Sequence, residues 1–249
     1  PSPWLSHATE RTGRLKDPMS TLIVIPVRGG SKGVPRKNLR DVGGKPLVVW
    51  TIEQALAVDG ARVVVSTEDP ELARVAAGAG AEVIDRPVEL AQDTTPTEPV
   101  ILHAMDVLAA QGYEPEHVVL LQATSPVRRP GTIARAVAQA RDTGVDSLVG
   151  VVPQTPFLWW TARDGHGPTA DFDVDHRPRR QELTADQMRY RETGSLYVTR
   201  PWVYRQRNNR IGGRIGLFVM DEVEGVDIDG PLDLALAGRT LAQMQQEGM

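Results

Sequence analysis

Cysteine is missing altogether from the 249 residues. Its absence excludes disulfides, thiolate metal sites and cysteine nucleophiles, and it fits a reducing compartment, from which a cytoplasmic location is expected. An excess of positive charge is missing too: 28 Lys and Arg stand against 32 Asp and Glu, a net charge of −4. No global field therefore draws in a nucleic acid polymer. No apolar run approaches the ~18 residues needed to cross a bilayer, so a soluble chain without a membrane partner is expected. The five histidines, at 7, 103, 117, 166 and 176, show no metal-ligand spacing, and no Ser-His-Asp order is legible. Zinc and hydrolase chemistry are poor readings for that reason. The opening PSPWLSHATERTGRLKDP has neither the apolar stretch of a secretion signal nor the period of a folded element. Residues 1–18 are read as an upstream extension or expression remnant, and the working domain as 19–249.

What is present is ordinary globular material, 41% hydrophobic and 24% charged, which excludes disorder for most of the chain. LIVIPV at 22–27 is a short continuous apolar run, as a strand buried on both faces requires. A helix is predicted over 46–57, opened by Pro46, then a strand at 63–65. Asp69-Pro70 supplies a cap and first-turn proline for a helix to Ala77, and 81–84 reads as a short strand. Thr97 can cap a helix over 98–110, 118–122 is a buried strand, and Pro130 starts a helix. Ile133, Ala136, Val137 and Ala140 form the buried face of that last helix. With a strand at 147–152 the order is strand and helix in strict alternation. It predicts an α/β fold, a doubly wound and mostly parallel sheet of Rossmann-like type with ligands at the C-terminal strand ends. From 153 to 214 the pattern breaks, and only 195–199 reads clearly as strand. So long a segment, holding Trp159, Trp160, Trp202 and Arg179-Arg180, is read as an inserted arm that meets a partner. Order returns with a strand at 215–220 and a helix from Pro231 whose Leu234, Ala237, Leu241 and Met244 make one apolar stripe.

The chemistry concentrates in RGGSKGVPRKN, Arg28 to Asn38, directly after the first strand. Glycines allow close backbone approach to an anion, and cationic side chains neutralise it, which is what a polyphosphate needs. Neither G-x-x-x-x-G-K-[ST] nor G-x-G-x-x-G is present, so this is not a P-loop or a dinucleotide fingerprint. A second feature is VDID at 226–229. If the segment is extended, Asp227 and Asp229 face the same side and can hold Mg²⁺ together with substrate phosphates. Helix-initiating turn chemistry explains the same residues without a metal.

IPVRGGSKGVPRKNLRDVGGKPL closely resembles the signature of the CMP-sialic acid synthetases, the acylneuraminate cytidylyltransferases. RPVELAQDTTPT at 86–97, LLQATSPVR at 120–128, RRQEL at 179–183, YRETGSLYV at 190–198 and VDIDGPLDL at 226–234 resemble further blocks of that family in its order. The resemblance implies a nucleotidyltransferase that joins CMP from CTP to the anomeric hydroxyl of a sialic-acid-like nonulosonic acid and releases pyrophosphate. It places Arg28, Gly29, Gly30, Ser31, Lys37 and Asn38 on the triphosphate, with Lys37, Arg28 and Asp229 as the catalytic set. It puts Arg86 and Thr97 near the cytosine, Gln122, Arg180 and Tyr197 on the sugar acid, and Mg²⁺ on Asp227 and Asp229. It also implies a homodimer whose arm brings Arg180 into the other subunit's site.

Plain structural readings stand beside several of these: a surface arginine for Arg86, a helix cap for Thr97, a solvated charge run for Arg180, and core for Tyr197. Two departures fall on the sugar side. Thr193 stands where the family usually has Asn, and Ile211-Gly212 stands where several members have aromatics. The rivals are a 3-deoxy-octulosonate cytidylyltransferase with the same chemistry on a shorter acid, and a non-catalytic sensor of CTP or CMP-sugar.

Overall fold

The structure, a computed structural model, describes residues 20–30, 33–161, 165 and 167–247. Ser31 and residues 1–18, on which two of the expectations fall, lie outside them. In chain order the strands are β1 (Thr21–Pro26), β2 (Asp41–Val42), β3 (Lys45–Pro46), β4 (Ala61–Thr67), β5 (Glu82–Asp85), β6 (His117–Leu121), β7 (Ser147–Gln154), β8 (Trp159–Trp160), β9 (Thr169–Ala170), β10 (Arg189–Thr199) and β11 (Ile215–Val219). The helices are α1 (Leu47–Leu56), α2 (Pro70–Gly78), α3 (Thr97–Ala110), α4 (Thr132–Thr143), α5 (Pro201–Arg207) and α6 (Pro231–Gln246).

Seven strands form the central sheet in the order β11-β7-β10-β6-β1-β4-β5. Only β10 runs antiparallel, wedged between β6 and β7, so the doubly wound, mostly parallel expectation holds. Residues 22–25 of β1 are all buried because both faces of the sheet are covered there. Ile23 and Ile25 pack with α1, α2 and α4 through Ile52, Leu72 and Ile133. Leu22 and Val24 pack on the other face with α3 and α5 through Ile101, Met105 and Tyr204. A third cluster holds Val42, Trp50, Val127, Ile228, Leu241 and Met244 together. It seats α6 beside the first loop and buries Ile228 between the two aspartates.

Local chemistry explains most boundaries and corrects a few. Asp69 caps α2 as predicted, its Oδ1 accepting from the amides of Glu71 and Leu72 at 2.9 Å each. Thr97 does not cap α3; it is the first helical residue, Pro96 stands at the cap, and no side chain there makes a capping bond. The helix after Pro130 begins only at Thr132, because Gly131 takes a left-handed φ of 76° just before it. Strand β10 is far longer than the 195–199 seen in sequence. Its first half, Arg189 to Glu192, pairs with the end of β7 as exposed polar strand. Of the 153–214 segment, β10 and α5 therefore belong to the main body. The outlying part has its own small cluster, where Phe172 meets Phe157 and Trp159 edge-on at 5.3 and 5.9 Å. The Arg177 guanidinium lies over both phenylalanine rings, 4.5 and 4.8 Å from their centroids.

Candidate active site

A cleft of about 310 Å³ opens at the C-terminal ends of β1 and β6, lined by Arg28, Gly30, Lys37, Asn38, Arg86, Thr97 and Gln122 among others. Seven sequence-predicted residues from five separate stretches of chain thus meet in one place, at the strand ends where α/β sheets bind ligands. A somewhat larger cleft of about 360 Å³ lies between α1, the start of α4 and the end of α6. None of the predicted site residues lines it, so size does not identify the site here.

The loop after β1 is shaped by close packing. A Cβ on Gly29 would lie 2.4 Å from the Asp69 carboxylate, and the Gly29 amide donates to Glu68 Oε1 at 2.8 Å. Only glycine fits there, so Gly29 shapes the loop, while Gly30 faces the open cleft. Arg36 takes a left-handed φ of 56° and pairs with Asp69 at 2.6 Å. That turn delivers Lys37 and Asn38 to the cleft. Asn38 donates to the Arg28 carbonyl at 3.3 Å, and its buried Oδ1 has no hydrogen-bond partner among the described residues. An unsatisfied buried acceptor on a cleft wall is a place for a donor from a ligand. Arg28 meets Asp93 at 2.6 Å with both side chains well exposed.

Arg86 is not a surface arginine. It is buried, donating to the Val27 carbonyl at 2.8 Å, to Ser66 Oγ at 3.2 Å and to the Ser66 carbonyl. Burial lowers its pKa, partly offset by Glu68. It cross-links the ends of β1 and β4 and forms the cleft floor. Gln122 follows β6, its amide nitrogen donating to the Ser195 carbonyl at 3.3 Å. Its side-chain oxygen lies 3.5 Å from where a Cβ on Gly194 would sit. Gly194 has φ 72° within the bulge that breaks the β10–β7 register.

The VDID segment lies against the loop. Lys37 Nζ donates to the Ile228 carbonyl, and a Cβ on Gly33 would sit 2.2 Å from the Asp229 carbonyl. Ile228 is fully buried, while Asp227 is half-buried and Asp229 exposed. Asp227 Oδ1 accepts from Ser125 Oγ and from the Ile228 amide, both at 3.1 Å. Asp233 accepts from the amides of Asp229 and Gly230 at 3.1 and 2.8 Å. Helix initiation is thus the work of Asp233, while Asp227 Oδ1 holds Ser125 and the Ile228 amide.

Two predicted sugar contacts lie elsewhere. Tyr197 is buried in β10, and its hydroxyl donates to Glu192. Burial and that carboxylate raise its pKa. Arg180 is exposed in a short turn, Arg180–Glu182, and does not line the cleft. Thr193 is also turned away, buried with its hydroxyl on the Gly150 carbonyl at 3.0 Å. Sequence reasoning passed over Arg128. It is fully enclosed behind Gln122, donating to the Gln122 and Ser195 carbonyls at 3.0 and 2.8 Å. An arginine at the close of an apolar and turn-forming block, followed by Arg129 and with no acidic neighbour in sequence, was the available signal.

The Cytidylyltransferase family matches residues 22–213 of this chain. The N-acylneuraminate cytidylyltransferase A of Danio rerio is 30% identical over 93% of this chain and 53% of its own length. The CMP-N,N'-diacetyllegionaminic acid synthase of Legionella pneumophila is 32% identical, covering 93% of this chain and 100% of that protein. The chain spans about half the length of the fish relatives it matches. Among solved structures, a CMP:2-keto-3-deoxy-manno-octonic acid synthetase complexed with CTP superposes with a TM-score of 0.67 at 21% identity. That alignment covers 90% of this chain and 99% of that one, and it shows a shared fold.

Proposed function

Because the chain belongs to the cytidylyltransferase family, we propose that it transfers CMP from CTP to the anomeric hydroxyl of a sialic-acid-like nonulosonic acid. A bond forms from that oxygen to the α-phosphorus, the bond to the pyrophosphate oxygen breaks, and the hydroxyl proton is released. The observation that carries the reading is the single cleft in which Arg28, Gly30, Lys37, Asn38, Arg86, Thr97 and Gln122 converge. Such transfer leaves the protein little covalent work, so positioned cations do most of it. The Lys37 ammonium has three donors, and the Ile228 carbonyl takes one, leaving the others for phosphate oxygens. Arg28 can exchange Asp93 for a phosphate at small cost, because an exposed ion pair contributes only ~0–1 kcal/mol. Thr97 and Gln122 supply neutral hydrogen bonds on the base and acid sides.

Mg²⁺ fits the Asp227–Asp229 pair by the chemistry of the donors. The Asp229 carboxylate is exposed, the Asp227 hydrogen bonds from Ser125 and Ile228 both go to Oδ1, and both side chains are hard oxygen ligands. No cluster of three or more metal-ligating side chains occurs among the described residues, which suits an ion held by one or two carboxylates plus phosphates. When bound it supplies charge neutralisation and polarisation of the phosphates. Arg180 and the exposed Trp159 and Trp160 support a homodimer in which the outlying segment of one copy reaches the cleft of the other. No helix among the described residues is long and apolar enough to cross a membrane, and the cysteine-free chain suits the cytoplasm.

The test is pyrophosphate release from CTP and Mg²⁺ with a panel of nine-carbon and eight-carbon keto acids. Turnover with nine-carbon acids is expected. Preference for an eight-carbon acid moves the substrate to the octulosonate class, and CTP binding without pyrophosphate from any acid favours a sensor.

A further inference from the structure

We propose that Arg128 is a positioning residue for the acid side of the cleft, holding Gln122 and, through the same loop, Asp227. The residue is 2% exposed, and among the described residues its guanidinium has no carboxylate in direct contact. It instead donates to Thr51 Oγ1 at 3.2 Å, Gln54 Oε1 at 2.9 Å, the Gln122 carbonyl at 3.0 Å and the Ser195 carbonyl at 2.8 Å. These acceptors belong to α1, the end of β6 and the β10 bulge, so one rigid fork joins three elements. Gln54 closes the arrangement by donating back to the Pro126 carbonyl at 2.8 Å.

Burying a cation without a counter-ion in contact costs several kcal/mol unless its hydrogen bonds are well placed. Burial pushes the Arg128 pKa down to about 9, with Glu224 opposing, and the group stays charged at neutral pH. An apolar side chain would fill the same space at less cost, so the value of arginine here lies in what its fork fixes. The loop it fixes runs from Gln122, which faces the cleft, to Ser125, whose hydroxyl donates to Asp227 at 3.1 Å. The Thr124 carbonyl accepts from the Ile228 amide at 2.9 Å. A shift of the Gln122–Arg128 loop therefore moves both a proposed acid contact and a proposed metal ligand, while Arg28 and Arg86 rest on other supports. Lysine cannot replace the arginine, since a single ammonium cannot span acceptors on three elements.

The inference rests on the cytidylyltransferase reading, and its test separates the two. Arg128→Lys, Arg128→Met and Gln54→Leu are compared with the unaltered protein for kcat and KM toward each substrate, and for CTP affinity without turnover. In parallel, hydrogen exchange is followed at the amides of Gln122, Ser125 and Ile228. Arg128→Lys is expected to lower kcat/KM for the acid about 100-fold, the scale of a small misplacement of reacting groups. CTP affinity measured without Mg²⁺, which does not call on Asp227 as a ligand, is expected to fall far less. Gln54→Leu, which keeps the arginine but removes one acceptor, is expected to show a smaller loss in the same direction, with faster exchange at all three amides in each Arg128 variant. If the unaltered protein turns over and Arg128→Lys matches it with the acid, or if CTP affinity measured without Mg²⁺ falls in step, the positioning role is overturned and the reaction stands. If the unaltered protein turns over no acid, the reaction reading falls. Unchanged exchange at the three amides in Arg128→Met then overturns the positioning role independently.

Discussion

Lys37 combines two duties that its position in the sequence did not separate. Its ammonium lies at the cleft and also holds the Ile228 carbonyl between the two aspartates. Lys37→Ala therefore removes a cation and frees the VDID segment together. Loss of one preorganised donor to a developing charge costs about 10²–10³ in kcat, so kcat is expected to fall at least that far while KM for CTP rises less. Steady-state kinetics checks this, and a large KM effect at unchanged kcat would reduce Lys37 to ground-state binding. Asp229→Ala is expected to abolish most turnover with the fold intact, since its side chain supports nothing among the described residues except by the proposed metal. Asp227→Ala is expected to do the same with some loss of stability, because Ser125 and the Ile228 amide lose their acceptor. Mg²⁺ titrations of both variants, with circular dichroism for the fold, decide the matter. Near-normal Mg²⁺-dependent turnover in both places the ion elsewhere. Residue types at the loop were legible because glycine and cation have few other reasons to alternate after a buried strand. Arg86 and Arg128 were not, since arginine is ordinarily exposed and only the folded chain shows which carbonyls surround it.

At the level of elements, pairing explains what pattern alone could not reach. The parallel strands announced themselves as continuous apolar runs, but the first half of β10 is RYRE, which no hydrophobic period marks. It becomes strand because the β7 end offers it a ladder at Val151 to Gln154. The helix faces were legible, as Ile133, Ala136, Val137 and Ala140 of α4 are all buried. One tie between elements carries a pH prediction. Glu98 at the start of α3 accepts from Arg210 Nε at 2.7 Å with both side chains mostly buried. Burial raises the Glu98 pKa, but the hydrogen bond and charge of Arg210 outweigh it, so the net shift is downward. A carboxylate lowered on folding adds stability above its unfolded pKa, about 4.3, and loses it as pH falls through the folded value. Glu98→Gln is expected to lower stability by about 1–3 kcal/mol at pH 7, or ~2–4 °C in Tm per kcal/mol. The gap should narrow as pH falls below about 4.3 and through the lowered folded value. Thermal melts of both proteins across that range test it, and a gap that persists in acid assigns the effect to packing.

At the scale of the whole molecule, the sheet is covered unevenly. Helices α3 and α5 cover one face over β1, β4 and β6, yet Ile215, Leu217 and Val219 of edge strand β11 are each about half exposed on that side, at 53%, 45% and 51%. Tyr190 of β10 is exposed as well, as are Trp159 and Trp160 on the outlying segment. Exposed large apolar side chains on an edge strand suit an interaction site, and arginine and aromatic residues are the types that interfaces enrich. Arg180 stands on the same segment, exposed and away from its own cleft. The proposed homodimer with sites completed in trans would account for both facts, since the second copy would cover the apolar surface and Arg180 of each chain would serve the partner's cleft. The consequence can be read by complementation. Asp229→Ala and Arg180→Ala are each expected to be inactive alone. Mixed under conditions of subunit exchange, they form heterodimers in which one site has its aspartate from one chain and its arginine from the other. That site is intact, so at full exchange about a quarter of the unaltered activity should return, by the statistics of random pairing and one good site in each heterodimer. Sedimentation establishes the oligomer and mass spectrometry of labelled chains establishes the exchange. A fully active monomer, or no recovery after verified exchange, removes the shared site and confines Arg180 to its own chain.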